Sequence, residues 1–523
     1  MFCDFRFVSR AAHRFFQNAS LAPVGSRGGW FASLCLVIFL QAPTVGAASP
    51  TAPRYEATWQ SLDQRPIADW FSAAKFGIFI HWGPYSVPAW SPKGTYSEWY
   101  QHWMQGKALF GNGDFQGDEV YQYHVKTYGD DFTYYQFADA FKADLFDPDA
   151  WAALFEKAGA RYVVLTSKHH DGFTLWPNEQ ANDRGFAWNS MERGAGRDLV
   201  GELSAAVKNT PLKMGLYYSL YEWYHPWWLD DKERFVSEHF LPQVKDLVER
   251  YQPDLLWADG EWEMEAGKWR SPELLAWLFN ESSVKDTVVV NDRWGKDLRR
   301  QHGGYYTSEY EADVEFDRPW EETRGMGFSF GYNRNEDAED YNSTRTLLLL
   351  LLDVVSKGGN LLLNIGPDHR GRIPPVMQQR LLEMGAWLEV NEEAVFGTEK
   401  WRQSVQWSAG DRNVDESDER YVGGDYILKQ TLNPPPGKAV KELFFTRNGA
   451  DLYAISPRYP SGHLLVTGVT PTSDTTVTML GYHEPLEFRP QGDDIIVQVP
   501  ALSYDELPCK HAWSFKITGV ADE

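Results

Sequence analysis

Two acidic residues stand at the ends of short apolar runs, Asp259 in LLWADGEWE (Leu255 to Glu263) and Glu309 in GGYYTSEY (Gly303 to Tyr310). Asp and Glu are seldom buried without a partner, so an acid that closes a hydrophobic strand needs an explanation. For one acid alone, a helix N-cap or an ion pair is the better explanation. The repetition, amid many tryptophans and histidines, favours a pair of carboxylates working on a sugar.

The elements that must hold these acids are legible as apolar, β-branched or aromatic runs that each end in polar residues. FGIFI (Phe76 to Ile80) precedes His81 and Trp82, and YVVLT (Tyr162 to Thr166) precedes Lys168, His169, His170 and Asp171. MGLYYS (Met214 to Ser219) leads to Tyr221 and Glu222, and LLWA (Leu255 to Ala258) leads to Asp259 and Glu261. VVVN (Val288 to Asn291) comes before Arg293, YYTS (Tyr305 to Ser308) before Glu309, FSFGYN (Phe328 to Asn333) before Arg334, and NLLLN (Asn360 to Asn364) before Gly366. About eight such strands are what a (β/α)8 barrel requires, and its active site lies at their C-terminal ends.

Helical patterns lie between several of the strands. Asp147-Pro148-Asp149 opens WAALFEKAG, and RDLVGELSAAVKN (Arg197 to Asn209) and TRTLLLLLLDVVSKGG (Thr344 to Gly359) have the spacing of helices covering a sheet. ERFVSEHFLPQVKDLVERY (Glu233 to Tyr251) reads as a helix that Pro242 should kink. Tyr305 to Asn333 shows no helix, and Met104 to Phe132 reads as extra loop, so the expected fold class is α/β, an irregular (β/α)8-like barrel with helices missing. An open doubly wound sheet is the alternative, weakened because no GxGxxG opens a helix.

A chain of 523 residues has room for two or three domains, and a net charge of -23 opposes binding to nucleic acid or to an anionic membrane surface. Arg6, Arg10, Arg14 and Arg27 precede the apolar WFASLCLVIFL (Trp30 to Leu40), and Val45-Gly46-Ala47 offers small residues for cleavage. Residues 1–48 are therefore expected to be an export leader, with no membrane attachment after cleavage. Cys3 and Cys35 fall in that leader, leaving Cys509 without an internal disulfide partner.

The barrel is expected over residues 53–397. A C-terminal antiparallel β-sandwich is expected over 403–523, from strands such as DLYAIS (Asp451 to Ser456), HLLVTG (His463 to Gly468) and DIIVQV (Asp494 to Val499). Within it, Ser408 to Asp425 and Asn433 to Gly437 read as exposed loops.

Taken as a set and in order, KFGIFIHWGPYSVPAW (Lys75 to Trp90), SEWY (Ser97 to Tyr100), SKHHDGFTLWP (Ser167 to Pro177), LLWADGEWE, VVVNDRWG (Val288 to Gly295), WEETRGMGFSFGYNRNE (Trp320 to Glu336) and GGNLLLNIGP (Gly358 to Pro367) resemble the glycoside hydrolase family 29 α-L-fucosidases. The resemblance spans about Pro53 to Val520 and leans toward the lysosomal-type branch. It implies a retaining exo-hydrolase that removes terminal α-linked L-fucose from oligosaccharides or glycoproteins and uses no cofactor. Asp259 matches the family's nucleophile, and Glu309 its acid/base, with Glu321 as a rival. Fucose would be held by His81, Glu98, Trp99, His169, His170, Tyr217, Trp257, Arg293 and Phe330. An exported enzyme of this kind would be periplasmic or extracellular, or lysosomal in a eukaryotic host; a homo-oligomer is compatible with the chain.

Two other classes stay open at this point. His81, His169, His170 and Asp171 could hold a metal in a metal-dependent hydrolase, although adjacent strand residues face opposite ways. A fucose-binding lectin that has lost catalysis would keep the aromatic residues at the strand ends, of which Trp82, Trp99, Trp257 and Phe330 are the candidates for stacking on a sugar. Most of the 23 Trp, 26 Tyr and 30 Phe must instead be core.

Overall fold

The structure, a computed structural model, describes residues 54–106, 115–412 and 422–521. The leader expected over 1–48 lies outside them. Arg54 to Glu523 form one compact unit.

Eight parallel strands curl into a barrel: β1 (Phe76–Ile80), β2 (Tyr162–Lys168), β3 (Lys213–Ser219), β4 (Leu255–Asp259), β5 (Val289–Val290), β6 (Tyr306–Glu309), β7 (Trp320–Gly325) and β8 (Asn360–Ile365). Their order is β5-β4-β3-β2-β1-β8-β7-β6. The seam between β5 and β6 is narrow, closed by a parallel bridge between Asn291 and Tyr305, with Gly304 N–H donating to Asn291 O at 3.0 Å.

Seven of the strand readings fall on these elements. The seventh strand does not: FSFGYN is loop, and WEETRG (Trp320 to Gly325) forms β7. Its charges hid it from a hydrophobic pattern, yet every residue of it is buried. Glu321 is satisfied across the barrel interior by Tyr162, Trp257 and Tyr305, and Glu322 by Ser308 on neighbouring β6 and by Arg324 on β7 itself. The alternation in FSFGYN arises because Phe330 turns into the site, not because the segment pairs with a strand.

The helices form where capping residues and apolar spacing agree. In α1 (Pro148–Lys157) the Asp147 carboxylate accepts from Ala150 N–H at 3.0 Å, and in α2 (Leu199–Lys208) Asp198 accepts from Gly201 N–H at 2.8 Å. Before α3 (Leu241–Tyr251), residues Phe235–Phe240 are wound as π-helix, which is how the chain accommodates Pro242, a residue that removes a backbone donor and crowds the preceding turn. Next come α4 (Ser271–Asn280), α5 (Thr344–Ser356), capped by Ser343, and α6 (Pro375–Asn391). The insertion between β1 and β2, expected as loop, contains a helix at Phe115–Tyr128.

Beyond α6 a five-stranded antiparallel sheet is built from β9 (Glu399–Trp407), β10 (Lys441–Asn448), β11 (Asp451–Ser456), β13 (Pro471–Met479) and β16 (Trp513–Val520), in the order β13-β16-β11-β10-β9. A second sheet pairs β12 (His463–Val466), β14 (Phe488–Gln491) and β15 (Asp494–Gln498). Leu443, Phe445, Val466, Ile495 and Phe515 form the core between the two sheets. The sheet's other face, through Phe444, Tyr453 and Ile455, joins the core around the barrel helices.

Candidate active site

Alternation along the strands decides which side chains face the barrel axis. Phe79, Tyr217, Leu255, Trp257 and Tyr305 fill the interior, whereas Ile78, Ile80, Leu216 and Leu256 pack outward against helices. Continuing the inward row two residues at a time brings His81 after β1, Asp259 at the end of β4, and Thr307 and Glu309 along β6. Gly260, with φ +74°, turns the chain immediately after Asp259; a side chain there would strike the Tyr221 ring.

One pocket at this end is lined by Asp259 and Glu309 and by all nine residues expected to grip the sugar. At its centre is Arg293, 1% exposed, whose guanidinium lies over the Trp257 ring. Arg293 Nη1 donates to Asp259 Oδ1 at 2.9 Å, Nη2 to Glu309 Oε2 at 3.2 Å, and Nε to Thr307 Oγ1 at 2.9 Å. The Tyr217 hydroxyl donates to Asp259 Oδ2 at 3.0 Å, and the Tyr96 hydroxyl to Glu309 Oε1 at 3.2 Å. Burial alone would raise the Asp259 carboxyl, but Arg293, Arg299 and the Tyr217 hydroxyl outweigh it and hold the acid below its ordinary value.

Glu98 has the opposite character. Burial pushes it up to about 8, even though Gly331 N–H at 2.7 Å and the Ser329 hydroxyl at 3.3 Å both donate to Oε2. It is therefore a neutral acid at ordinary pH, able to donate a hydrogen bond as well as accept one.

The histidines are neutral as well. Burial lowers His81 to about 4 and holds His169 and His170 well below the usual imidazole range. Asn364 Nδ2 donates to Phe330 O at 2.6 Å, so its Oδ1 accepts from His81 Nδ1–H at 2.7 Å, leaving His81 Nε2 as an acceptor. The Ser219 hydroxyl donates to Tyr221 O at 2.7 Å and accepts from His170 Nδ1–H at 2.6 Å; His170 Nε2 then lies 3.6 Å from Asp259 Oδ2. His169 Nδ1 is buried with no protein partner.

Other expectations are corrected by position. Glu321 lies below the pocket, 0% exposed, accepting from Tyr162 Oη at 2.6 Å, Trp257 Nε1 at 2.8 Å and Tyr305 Oη at 3.1 Å. It braces the barrel interior and is not placed as a rival to Glu309. Trp82 packs among Phe141, Phe146 and Trp151, with its Nε1 donating to Asp368 O, so it is core and not a stacking surface.

The metal alternative does not assemble: among the described residues the ligand atoms of His81, His169, His170 and Asp171 do not converge as a metal site, and Asp171 instead accepts from the Tyr134 hydroxyl at 2.6 Å. Among the described residues, ligand atoms do converge at Glu222, His225 and His239, but Lys168 and Arg184 already compensate that carboxylate.

Sequence reasoning missed Tyr96, Glu261, Trp262, Arg299 and Thr323. Glu261 and Trp262 had a signal, since they lie within LLWADGEWE. Arg299 had none: its Nε reaches Glu261 Oε1 at 2.5 Å and its Nη2 stands 3.9 Å from Asp259, from a loop with no distinguishing pattern.

The family described as Alpha-L-fucosidase matches residues 44–393, and the Alpha-L-fucosidase C-terminal domain matches 438–518. The tissue alpha-L-fucosidase of Homo sapiens is 40% identical over 508 residues, 95% of this chain and 98% of the human protein. That of Bos taurus is 40% identical over 484 residues, 90% of this chain and 92% of the bovine one. A solved Thermotoga maritima alpha-fucosidase in complex with fucose superposes with a TM-score of 0.70 at 34% identity, covering 89% of this chain and all of that one. Barrel, pocket and likeness over nearly the whole chain agree: the chain belongs to the α-L-fucosidases of glycoside hydrolase family 29.

Proposed function

We propose that the protein cleaves terminal α-linked L-fucose from oligosaccharides or glycoproteins with retention, using Asp259 as nucleophile and Glu309 as acid/base. The observation that carries this reading is the shared guanidinium: Arg293 binds both carboxylates through adjacent nitrogens. A fork of that size keeps the two acids close enough for the separation of about 5–5.5 Å that double displacement needs.

In the first step an Asp259 oxygen attacks the anomeric carbon as the glycosidic C–O bond breaks, and Glu309 gives its proton to the departing oxygen. Water then attacks the fucosyl-Asp259 ester. Glu309 takes the water's proton, and Asp259 leaves as carboxylate. Its depressed pKa keeps Asp259 ionised for attack and makes it a good leaving group. Neutral His81, His169 and His170, together with protonated Glu98, accept from and donate to the sugar hydroxyls, while Trp99, Trp257 and Phe330 cover its apolar face and methyl group.

Proton NMR of 4-nitrophenyl α-L-fucoside hydrolysis tests the mechanism. Fucose should appear first as the α anomer; β-fucose appearing first would make the enzyme inverting and remove Asp259 from its role. Export on the segment 1–48 belongs to the same proposal, and N-terminal sequencing of the secreted protein checks it.

A further inference from the structure

We propose that the C-terminal sandwich is part of the catalytic apparatus. It positions Glu309 by clasping the loop that follows it, through the Val422 backbone and a buried cluster centred on Lys441. This rests on the acid/base reading of Glu309.

Glu309 is the last residue of β6, and the chain leaves it in an unusual way. Tyr310 and Asp313 have φ of +54° and +56°, left-handed values that residues bearing side chains keep only when their surroundings impose them. Each is held from the C-terminal side. Val422 N–H donates to Tyr310 O at 2.7 Å. Arg324, on β7, then ties both chains together, with Nη1 donating to Val422 O at 2.7 Å and Nη2 to Glu311 O at 2.6 Å.

The second clasp is ionic. Asp313 receives Lys441 Nζ at 2.8 Å and Lys357 Nζ at 3.3 Å; the same two lysines reach Asp353 on α5 at 2.5 and 2.9 Å. Lys441 opens β10, and the Tyr426 hydroxyl, also from the C-terminal region, donates to Asp353 Oδ2 at 3.1 Å. Lys441 and Asp353 are 1% and 2% exposed. Burying two acids and two lysines adds little net stability over an apolar contact, but it permits only one arrangement of the chains. That arrangement fixes the loop directly after Glu309, and with it the angle at which Glu309 meets Arg293 and Tyr96. A segment expected to be mere exposed loop, and a domain without chemistry of its own, thus decide where the acid's proton points.

The test compares substrates whose leaving groups differ in their need for a proton. In full-length Lys441→Met, and in Val422→Pro, which removes the N–H that Tyr310 O accepts, kcat/KM for methyl α-L-fucoside should fall at least tenfold more than for 2,4-dinitrophenyl α-L-fucoside. Thermal midpoints establish that each variant is folded, and Asp313→Asn, nearly isosteric, takes the place of any variant that is not. Equal losses on both substrates would make the clasp a structural staple and overturn the inference. Glu309→Gln, measured alongside, separates the two readings. If it lacks the leaving-group dependence, the acid/base assignment fails and this inference with it. If it has that dependence and the clasp variants do not, only this inference fails.

Discussion

Asp259 and Glu309 are bound by the same guanidinium, with Arg293 Nη1 2.9 Å from one and Nη2 3.2 Å from the other. That cation is the largest of the influences that keep the first acid charged, and it orients both. A lysine, being a point charge, cannot reproduce that fork.

Arg293→Lys should therefore lower kcat/KM by roughly a hundredfold or more, the scale of misplacing a group at the reaction centre. Asp259 works ionised, and its folded pKa lies below the ordinary value. Activity is present above that pKa and is lost as pH falls through it. Weakening the cation raises the pKa, so the acidic limb of the kcat/KM profile should move to higher pH. An unmoved limb would mean that Arg293 does not hold Asp259 in its charged form.

Asp259→Gly should abolish nearly all turnover of 4-nitrophenyl α-L-fucoside, and azide should restore part of it as a fucosyl azide. Residual activity near wild type without azide would exclude Asp259 as nucleophile.

Glu309→Ala should cost about 10²–10⁴-fold on unactivated fucosides and much less on dinitrophenyl fucoside. Glu321→Gln should show no such substrate dependence. Burial holds Glu321 up to about 7 between three donors, so its replacement should appear as a lower thermal midpoint. A leaving-group dependence in Glu321→Gln alone would reverse the assignment.

Glu98 is pushed up to about 8 by burial. The proton is present below that pH and is lost above it, leaving an anion near Glu309. In the wild type, KM should rise between pH 7 and 9. Glu98→Gln, which donates and accepts at every pH, should flatten that rise while changing KM only a few-fold at pH 6. A rise that persists unchanged in the variant would assign it to another group.

His169 Nδ1 is buried without a protein partner, an arrangement that costs the fold about 1–3 kcal/mol. His169→Leu should keep or raise the thermal midpoint while KM rises at least tenfold. A variant that loses stability and keeps KM would make His169 a core residue.

The inward and outward faces of most strands follow from residue order. LLWAD places Leu255, Trp257 and Asp259 on one face whatever surrounds them, because side chains alternate along a strand. The caps Asp147, Asp198 and Ser343 likewise act within a few residues, so local pattern locates them. These local rules placed Asp259, Glu309 and His81 at one end of one barrel.

Closure of the barrel decided the rest. WEETRG is a strand because Tyr162, Trp257 and Tyr305 accommodate Glu321 while Ser308 and Arg324 accommodate Glu322, partners up to 159 residues distant. Arg299 reaches Asp259 across 40 positions of sequence, and Val422 clasps Tyr310 across more than a hundred. Alternation and capping are properties of neighbouring peptides and can be read along the chain. The neutralisation of a buried charge depends on which distant groups the packed structure brings within hydrogen-bonding distance, so it exists only in three dimensions.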